Sequence, residues 1–377
     1  MPNFRALPLI EMRSTRLYKG LLFIFVLGLS FVASSSDHND EESAESGHLE
    51  EKSADFDAAS HAVHHAMDAH EFHFSDNFVI PLPVILWTEK GLVTFMSSAF
   101  HHDDEGKTIV EKNGMLFAKI HEKIYLLDDG AEHVNFDAQH HPTNAAQVLT
   151  DFSLTKNVVT MFLVAFLMLI VFLKSAKFYK KDKQEAPRGV AGWTEPIILF
   201  IKEVAQDNIA GDKYKKFLPY LLTVFFFILF GNLLGLLPIL ANPNMTGSIS
   251  ITLLLAMFTF IIQLVYSKKN FWGHVFAPPG VPVVLYPILI PIEIAGLFIK
   301  PAALMIRLFA NITAGHIIVV SLISIIFINK SAAWAGLSVP MALFISLLEL
   351  LVAFLQAYIF VMLSALFIGS AVDTSHH

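Results

Sequence analysis

The residues of this chain that could do chemistry lie near its end, within two long apolar stretches at about 292–328 and 338–370. Between Phe276 and Val372 the only side chains with a formal charge are Glu293, Lys300, Arg307, Lys330 and Glu349. The same stretch contains one histidine, His316. A charge at the centre of a membrane helix costs about 3 kcal/mol on insertion scales, so such a side chain must face protein or water. We therefore consider these residues functional candidates.

The spacing in the first stretch gives it one polar face. Glu293, Lys300 and Arg307 recur every seven residues, and Asn311 follows Arg307 by four. At about 100° per helical residue, all four share a face. An arginine near a helix end can simply extend its charge to the interface. Arg307 lies about 15 residues into its stretch, a depth that favours a functional role.

Further polar residues lie at other depths and faces. His316, nine residues after Arg307, falls near the opposite face and about 13 Å further along the helix axis. In the last stretch Glu349 and Gln356 are seven residues apart, which again places them on one face. This layout predicts two separate polar paths, each reaching part way through a membrane, with Arg307 between them.

The composition requires a bilayer around these elements. The chain has 377 residues, 54% of them hydrophobic, a mean hydropathy of +0.57 and only 16% charged residues, against roughly 25% in soluble domains. The absence of cysteine excludes a disulfide framework, thiolate metal sites and a cysteine nucleophile. The sequence has no Gly-rich phosphate loop. We expect no cofactor, no metal and no nucleotide chemistry on this chain.

Residues 1–35 have the pattern of a signal peptide. Four basic residues precede an apolar run from Leu21 to Val32, and small residues follow at 33–36. The apolar run is short for a membrane span. We expect cleavage near 33–36, and an uncleaved signal anchor is the alternative.

Residues 36–150 then form an extracytoplasmic region that is rich in acids and histidine. Six lysines face 22 acidic residues in 34–150, and 13 of the 17 histidines lie there. The part before about Ser75 is typical of disordered or loosely helical chain. The part at 78–127 contains β-favouring runs at 84–87 and 92–95 on either side of Glu89-Lys90-Gly91, which predicts a small antiparallel meander.

The histidines leave metal binding open as an alternative for this region. The pairs His61/His65 and His70/His73 have spacings that could bind a metal on one face of a helix. Histidine and acid-rich tracts are more often solvated surface. A membrane-anchored metal-binding protein would depend on this tract alone.

Residues 151–377 are predicted to be a membrane ion-translocating domain. A span at 154–173 ends in a basic run that marks the cytoplasmic side, and a surface helix at 193–216 follows it. Spans at 217–237 and 249–266 come next, and prolines between 278 and 291 indicate a cytoplasmic connection. The two long stretches must be tilted or bent. We predict an all-α polytopic membrane protein with about five membrane helices, multi-pass in a bacterial inner membrane, with its C-terminus cytoplasmic.

Three motifs in this domain resemble subunit a of the rotary F-type ATP synthase, the stationary proton-conducting subunit of its membrane sector. They are residues 300–316 (KPAALMIRLFANITAGH), 355–360 (LQAYIF) and 231–238 (GNLLGLLP). The resemblance covers about residues 190–371. It implies a proton-translocating, non-catalytic subunit whose partners are the c-ring, the peripheral-stalk b subunits, other synthase subunits and the lipid bilayer, without nucleic acid.

The resemblance also assigns roles to individual residues. It implies that Arg307 is the essential arginine facing the carboxylate of the rotating c-ring, with Asn311 and Gln356 beside it. Asn232 matches an asparagine of the outer half-channel. His316 and Glu349 would relay protons there. Glu293 and Lys300 are candidates for the inner half-channel.

Two departures from the family pattern stand out. Many relatives have an acid where this chain has His316 and a histidine where it has Glu349, so the pair is kept with its members exchanged. An aspartate that many bacterial members carry is replaced by Gly235. The second departure leaves the outer water path open.

Two alternatives concern the whole chain and the role of residues 36–150. A self-contained secondary transporter would also bury charges, but such folds usually show internal repeats, and we find none in this sequence. The extracytoplasmic region could concentrate cations near the outer half-channel or serve assembly. Surface fields are screened within about 8 Å at physiological ionic strength, which favours assembly.

Overall fold

The computed structural model describes residues 68–75, 78–137, 142–148, 150–179, 186–237, 245–277, 281–328 and 335–372. The predicted signal peptide at 1–35 and most of the acidic tract before Ser75 lie outside these ranges. Within the described ranges the chain forms a small β domain at 68–152, followed by a helical body.

The β domain contains eight strands in three antiparallel sheets. Strands β1 (Glu71–Ser75) and β2 (Phe78–Pro81) pair with each other, as do β3 (Pro83–Thr88) and β4 (Gly91–Met96). The remaining four form a meander in sequence order: β5 (Glu105–Lys112), β6 (Met115–Ile120), β7 (Lys123–Leu127) and β8 (Ala145–Gln147). The β3–β4 hairpin turns at Glu89 and Lys90, as the sequence predicts. The core of the β domain is apolar and includes Leu86, Phe100 and Phe117.

The helical body consists of seven helices within the described ranges. They are α1 (Lys156–Tyr179), α2 (Val190–Asn208), α3 (Tyr214–Gly235), α4 (Ile249–Val265), α5 (Lys269–Phe276), α6 (Tyr286–Ile328) and α7 (Ala335–Val372). Four of these segments are long and apolar enough to cross a membrane, and α4 with α5 makes a fifth candidate that bends by 102°. This agrees with the expected number of about five spans. The structure contains α2 in the region of the predicted surface helix, and its location at the cytoplasmic surface stays a prediction.

Helix α3 forms the centre of the body. Its phenylalanines Phe225, Phe226 and Phe227 are buried, and α3 contacts α1, α2 and α7. Such an element, apolar on all sides, is typical of a helix surrounded by other helices. Helix α6 is the opposite case, because the residues that the structure describes leave most of its side chains uncovered.

The prolines between 278 and 291 are expected to lie in a connection outside the helices. For Pro287 and Pro291 this expectation is wrong, because both lie within α6. Helix α6 begins at Tyr286 and contains Pro287, Pro291 and Pro301. Pro287 lies in the first turn, where the missing backbone N–H has no helical partner to lose. Pro291 and Pro301 each remove one helical hydrogen bond, and the 43-residue helix continues past them.

The β domain is joined to the first span by backbone capping. The first three amides of α1 are satisfied from outside the helix: Lys156 N donates to Ala69 O at 2.8 Å, Asn157 N to Asp68 Oδ1 at 2.9 Å and Val158 N to Thr155 Oγ1 at 3.5 Å. Helix starts leave these amides unpaired otherwise. Two of the three acceptors come from the β domain, so the domain holds the start of the span directly.

Candidate functional site

Arg307 lies on the uncovered side of α6. Leu304 and Leu308 on the same helix are 1% and 0% exposed, whereas Arg307 and Asn311 are exposed. None of the ion pairs found among the residues that the structure describes involves the Arg307 guanidinium. A guanidinium on a helix of this apolarity needs a polar partner, and within the described chain that partner is absent.

A hydrogen bond links this face to the last helix. Asn311 Nδ2 donates to Gln356 Oε1 at 2.8 Å, and Gln356 is 1% exposed. The side-chain nitrogen of Gln356 has no partner among the described residues. The bond fixes α6 and α7 to each other next to Arg307, and it leaves one buried donor for water or another polar group.

Glu349 lies against the backbone of α6 at Gly315. A Cβ atom added to Gly315 would collide with Oε1 of Glu349 and lie 3.1 Å from its Cδ. The carboxyl group of Glu349 therefore occupies space that any other residue at 315 would fill. Glu349 is half-buried, and its carboxylate reaches the turn of α6 that precedes His316.

A second buried polar group surrounds Asn232 on α3. Asn232 Nδ2 donates to Ala353 O of α7 at 3.3 Å, and Thr246 Oγ1 donates to Asn232 Oδ1 at 2.7 Å. Asn232 and Thr246 are 3% and 1% exposed. Ala353 lies on α7 between Glu349 and Gln356, so all three are on one helix face. The polar groups thus follow one line along α7.

The structure brings together part of the predicted set. Asn311 contacts Gln356, Asn232 reaches the same face of α7, and Glu349 reaches α6. Glu293 and Lys300 are exposed on α6, and Lys300 Nζ lies 6.0 Å from the ring centroid of Phe367. The side chain of His316 lies outside the described part of the structure, so its pairing with Glu349 stays a prediction.

Sequence reasoning missed two residues of this site. Thr246 belongs to none of the three motifs, and nothing in the sequence around it marks its side chain as a partner of Asn232. Gly315 is part of a motif, but its spatial role depends on where α7 packs. Both become visible only when the helices are assembled.

The β domain contains a separate ionic cluster around Lys119. Lys119 is 2% exposed, and its Nζ lies 3.2 Å from Glu122, 3.6 Å from Asp104 and 3.9 Å from Glu71. Three carboxylates around one buried ammonium satisfy its charge.

His70 extends the cluster toward the first span. Its backbone N donates to Glu122 Oε2 at 3.1 Å, and its Nε2 lies 3.8 Å from Asp151 Oδ2, an ionic contact too long for a hydrogen bond. Burial opposes the charge, but the carboxylates of Asp151 and Glu122 outweigh it and raise the pKa of His70 to about 9. Burial also opposes ionisation of Glu122, yet His70 and Lys119 lower the pKa of Glu122 to about 2.

The predicted metal pairs are only partly within the described residues. His61 and His65 lie outside them, as does the side chain of His73. The described residues contain no group of three potential ligands arranged for a metal. His70 contacts carboxylates of its own domain.

Comparison with known proteins identifies two parts of the chain. Residues 158–369 match the family model described as ATP synthase A chain. Residues 61–152 match a model described as a domain of unknown function (DUF8433). The boundary between the two matches coincides with the junction between the β domain and α1.

Several curated proteins are similar to this chain. ATP synthase subunit a of Chloroherpeton thalassium is 47% identical over 234 residues, which cover 60% of this chain and 69% of that protein. ATP synthase subunit a 2 of Chlorobaculum tepidum is 51% identical over 234 residues, covering 60% and 64%. ATP synthase subunit a of an Anaeromyxobacter species is 45% identical over 263 residues, covering 66% and 63%.

Proposed function

The chain belongs to the ATP synthase A chain family, and from this premise we propose that it is the stationary proton-channel subunit of an F-type ATP synthase. In this role it provides two offset half-channels and an essential arginine, Arg307, at the surface of the c-ring. Nucleotide chemistry belongs to other subunits. The observation that carries the proposal is the uncovered Arg307 on an apolar helix, hydrogen-bonded neighbours beside it and no described carboxylate against it.

Arg307 supplies a fixed positive charge between the half-channels. A guanidinium stays protonated at any accessible pH, and it favours the ionised form of a carboxylate brought near it. A ring carboxylate passing Arg307 therefore releases its proton before crossing. The same charge repels a proton that would move directly between the two half-channels.

The polar line along α7 supports an outer half-channel. Asn232, Thr246, Glu349 and Gln356 are groups that can hold water or pass a proton, and Glu349 reaches the turn before His316. Imidazole and carboxyl groups exchange protons near neutral pH. Glu293 and Lys300, which precede Arg307 along α6, are the candidates for the inner half-channel.

The orientation follows from the same proposal. The β domain is extracytoplasmic, the C-terminus is cytoplasmic, and the c-ring and the peripheral-stalk b subunits are the partners in the inner membrane. The β domain serves assembly by fixing the start of the first span. The capping of α1 by Asp68 and Ala69 supports this role.

The exchanged pair provides the test of the channel. The single changes His316→Ala and Glu349→Ala are expected to slow proton entry in vesicles that contain the whole complex. The double exchange, His316→Glu with Glu349→His, is expected to restore much of the flux, because residues in contact are not additive. A double exchange whose defect equals the sum of the defects of His316→Glu alone and Glu349→His alone would show that the residues do not act as a pair.

A further inference from the structure

The β3–β4 hairpin is apolar on both of its faces. One face carries Val84, Leu86 and Val93, which are 0%, 0% and 2% exposed and form part of the domain core. The other face carries Trp87 and Leu92, which are direct cross-strand partners and are 59% and 54% exposed. Strands that are apolar on both faces are typical of sheets covered on both sides. The outer face therefore lacks a cover among the residues that the structure describes.

The outer face continues beyond the hairpin. Phe152 N donates to Ile85 O at 2.8 Å, so the segment before α1 runs beside β3. Phe152 is 42% and Met96 45% exposed. We call this surface the outer hairpin face. It comprises positions 83, 85, 87, 92, 94, 96, 150 and 152. None of these positions carries a charged residue, although the domain as a whole is strongly acidic.

The outer hairpin face is held close to the membrane. Phe152 lies four residues before the start of α1, so it is within about 14 Å of that start even in a fully extended chain. The caps from Asp68 and Ala69 fix the domain to the same helix end. These two attachments, the covalent link through 152–156 and the caps from Asp68 and Ala69, restrict rotation of the domain away from the bilayer.

We propose that the outer hairpin face lies on the lipid interface of the bilayer, beside the start of α1. Tryptophan prefers this interface, because its apolar ring can contact lipid there while its N–H stays hydrated. The apolar side chains extend over the whole length of the hairpin, from Met96 at one end to Leu92 at the other. A hairpin standing upright on the membrane would need them at one end only, so this hairpin lies along the surface.

Because the chain has no cysteine, single spin labels can test the proposal. Leu92→Cys places a label on the outer hairpin face, and Lys107→Cys places one on β5, where the side chain is 77% exposed. Both variants of the full chain are reconstituted in phospholipid nanodiscs. We expect the label at Leu92 to collide mainly with oxygen, which concentrates in lipid, and the label at Lys107 mainly with a water-soluble nickel chelate.

Two results would overturn the proposal. Equal access of the nickel chelate to both labels would show that the face is in water. A label at Leu92 that is in water in the isolated chain and shielded from both reagents in the whole complex would assign the face to another subunit. These readouts do not involve proton flux, so they stand apart from the test of the proposed channel.

A second measurement covers the case in which the Leu92→Cys variant does not fold. Trp87 is the probe in a chain whose other tryptophans, at 193, 272 and 334, are changed to Phe. Brominated phospholipids are expected to quench its fluorescence at least about twofold more than aqueous iodide does. The reverse order of quenching would contradict the lipid contact.

Discussion

At the scale of single residues, Arg307 is the side chain whose chemical type matters most to the proposed function. Its replacement by Ala is expected to abolish proton-coupled ATP synthesis. Lys should fail as well, because it lacks the planar fork and loses its proton more readily when desolvated. ATP synthesis driven by an imposed proton gradient in vesicles measures both variants, with assembly checked by complex yield. Normal synthesis by Arg307→Lys would contradict the role of a permanent charge.

Gly315 permits a sharper test because α6 contains a matched control. A Cβ at Gly315 would collide with the Glu349 carboxylate, whereas one at Gly296 would meet nothing within 4 Å. Alanine favours a helix over glycine by up to about 1 kcal/mol, so neither change weakens the helix itself. We expect Gly315→Ala to lower proton flux about tenfold, equivalent to ~1.4 kcal/mol in the barrier.

In the same measurement Gly296→Ala should leave the flux per assembled complex unchanged. Equal flux in the two variants would show that the position of Glu349 against α6 has no part in proton transfer.

Residue types and spacing predict which polar side chains share a face of one helix. The seven-residue spacing put Arg307 on one face of α6, and the structure leaves that face uncovered. Sequence could not predict the contact of Glu349 with Gly315, because spacing along one helix does not determine its register against another. Thr246 was out of reach for the same reason, since its partner Asn232 is on a different helix.

At the scale of elements, the start of α1 depends on Asp68, which lies 89 positions before Asn157, the residue whose amide it caps. Asp68→Ala removes the acceptor for Asn157 N, and capping residues contribute about 1 kcal/mol. We expect faster hydrogen exchange at the amides of 156–158, measured by mass spectrometry on the full chain. Asp68→Asn keeps an acceptor oxygen and should retain most of the protection.

Asp129, which is exposed in the same domain, supplies the control. In Asp129→Ala, the hydrogen exchange of the amides at 156–158 should be as slow as in the unmodified chain. Unchanged exchange in Asp68→Ala would mean that the cap does not hold the helix start.

Hydropathy predicted the membrane helices well, because long apolar runs have few alternatives. It placed the start of α6 too late, because Pro287 and Pro291 are tolerated near a helix start that the sequence pattern marks as broken. The β3–β4 hairpin was predictable from its turn residues. The junction between the β domain and α1 was not, because backbone acceptors such as Ala69 O carry no signature in the side chains.

At the scale of the whole molecule, the buried His70 makes the stability of the β domain sensitive to alkaline pH. Its pKa is raised from 6.5 to about 9 in the folded chain, so the stabilisation is complete below pH 6.5 and is lost as the pH rises through 9. The difference corresponds to about 3 kcal/mol. Glu122, with its pKa lowered to about 2, loses its contribution only in strong acid.

Hydrogen exchange of the β6 amides in the full chain, compared at pH 6 and pH 9.5 after correction for intrinsic rates, measures this effect. We expect opening to become easier at the higher pH. His70→Gln should remove most of the difference between the two pH values. The same pH dependence in that variant would assign it to another group.

The uncovered face of α6 also has a consequence for the life of the protein in the cell. Under the proposed function, a chain without its ring partner leaves the Arg307 charge in lipid, at a cost of about 3 kcal/mol or more. We therefore expect the unassembled form to be the less stable one and to be degraded faster. Pulse-chase labelling in cells depleted of the ring subunit should show rapid turnover of this chain, and Arg307→Leu should slow that turnover although it cannot restore synthesis. The charge that would drive the rotor thus also makes the lifetime of this chain depend on the supply of its partner.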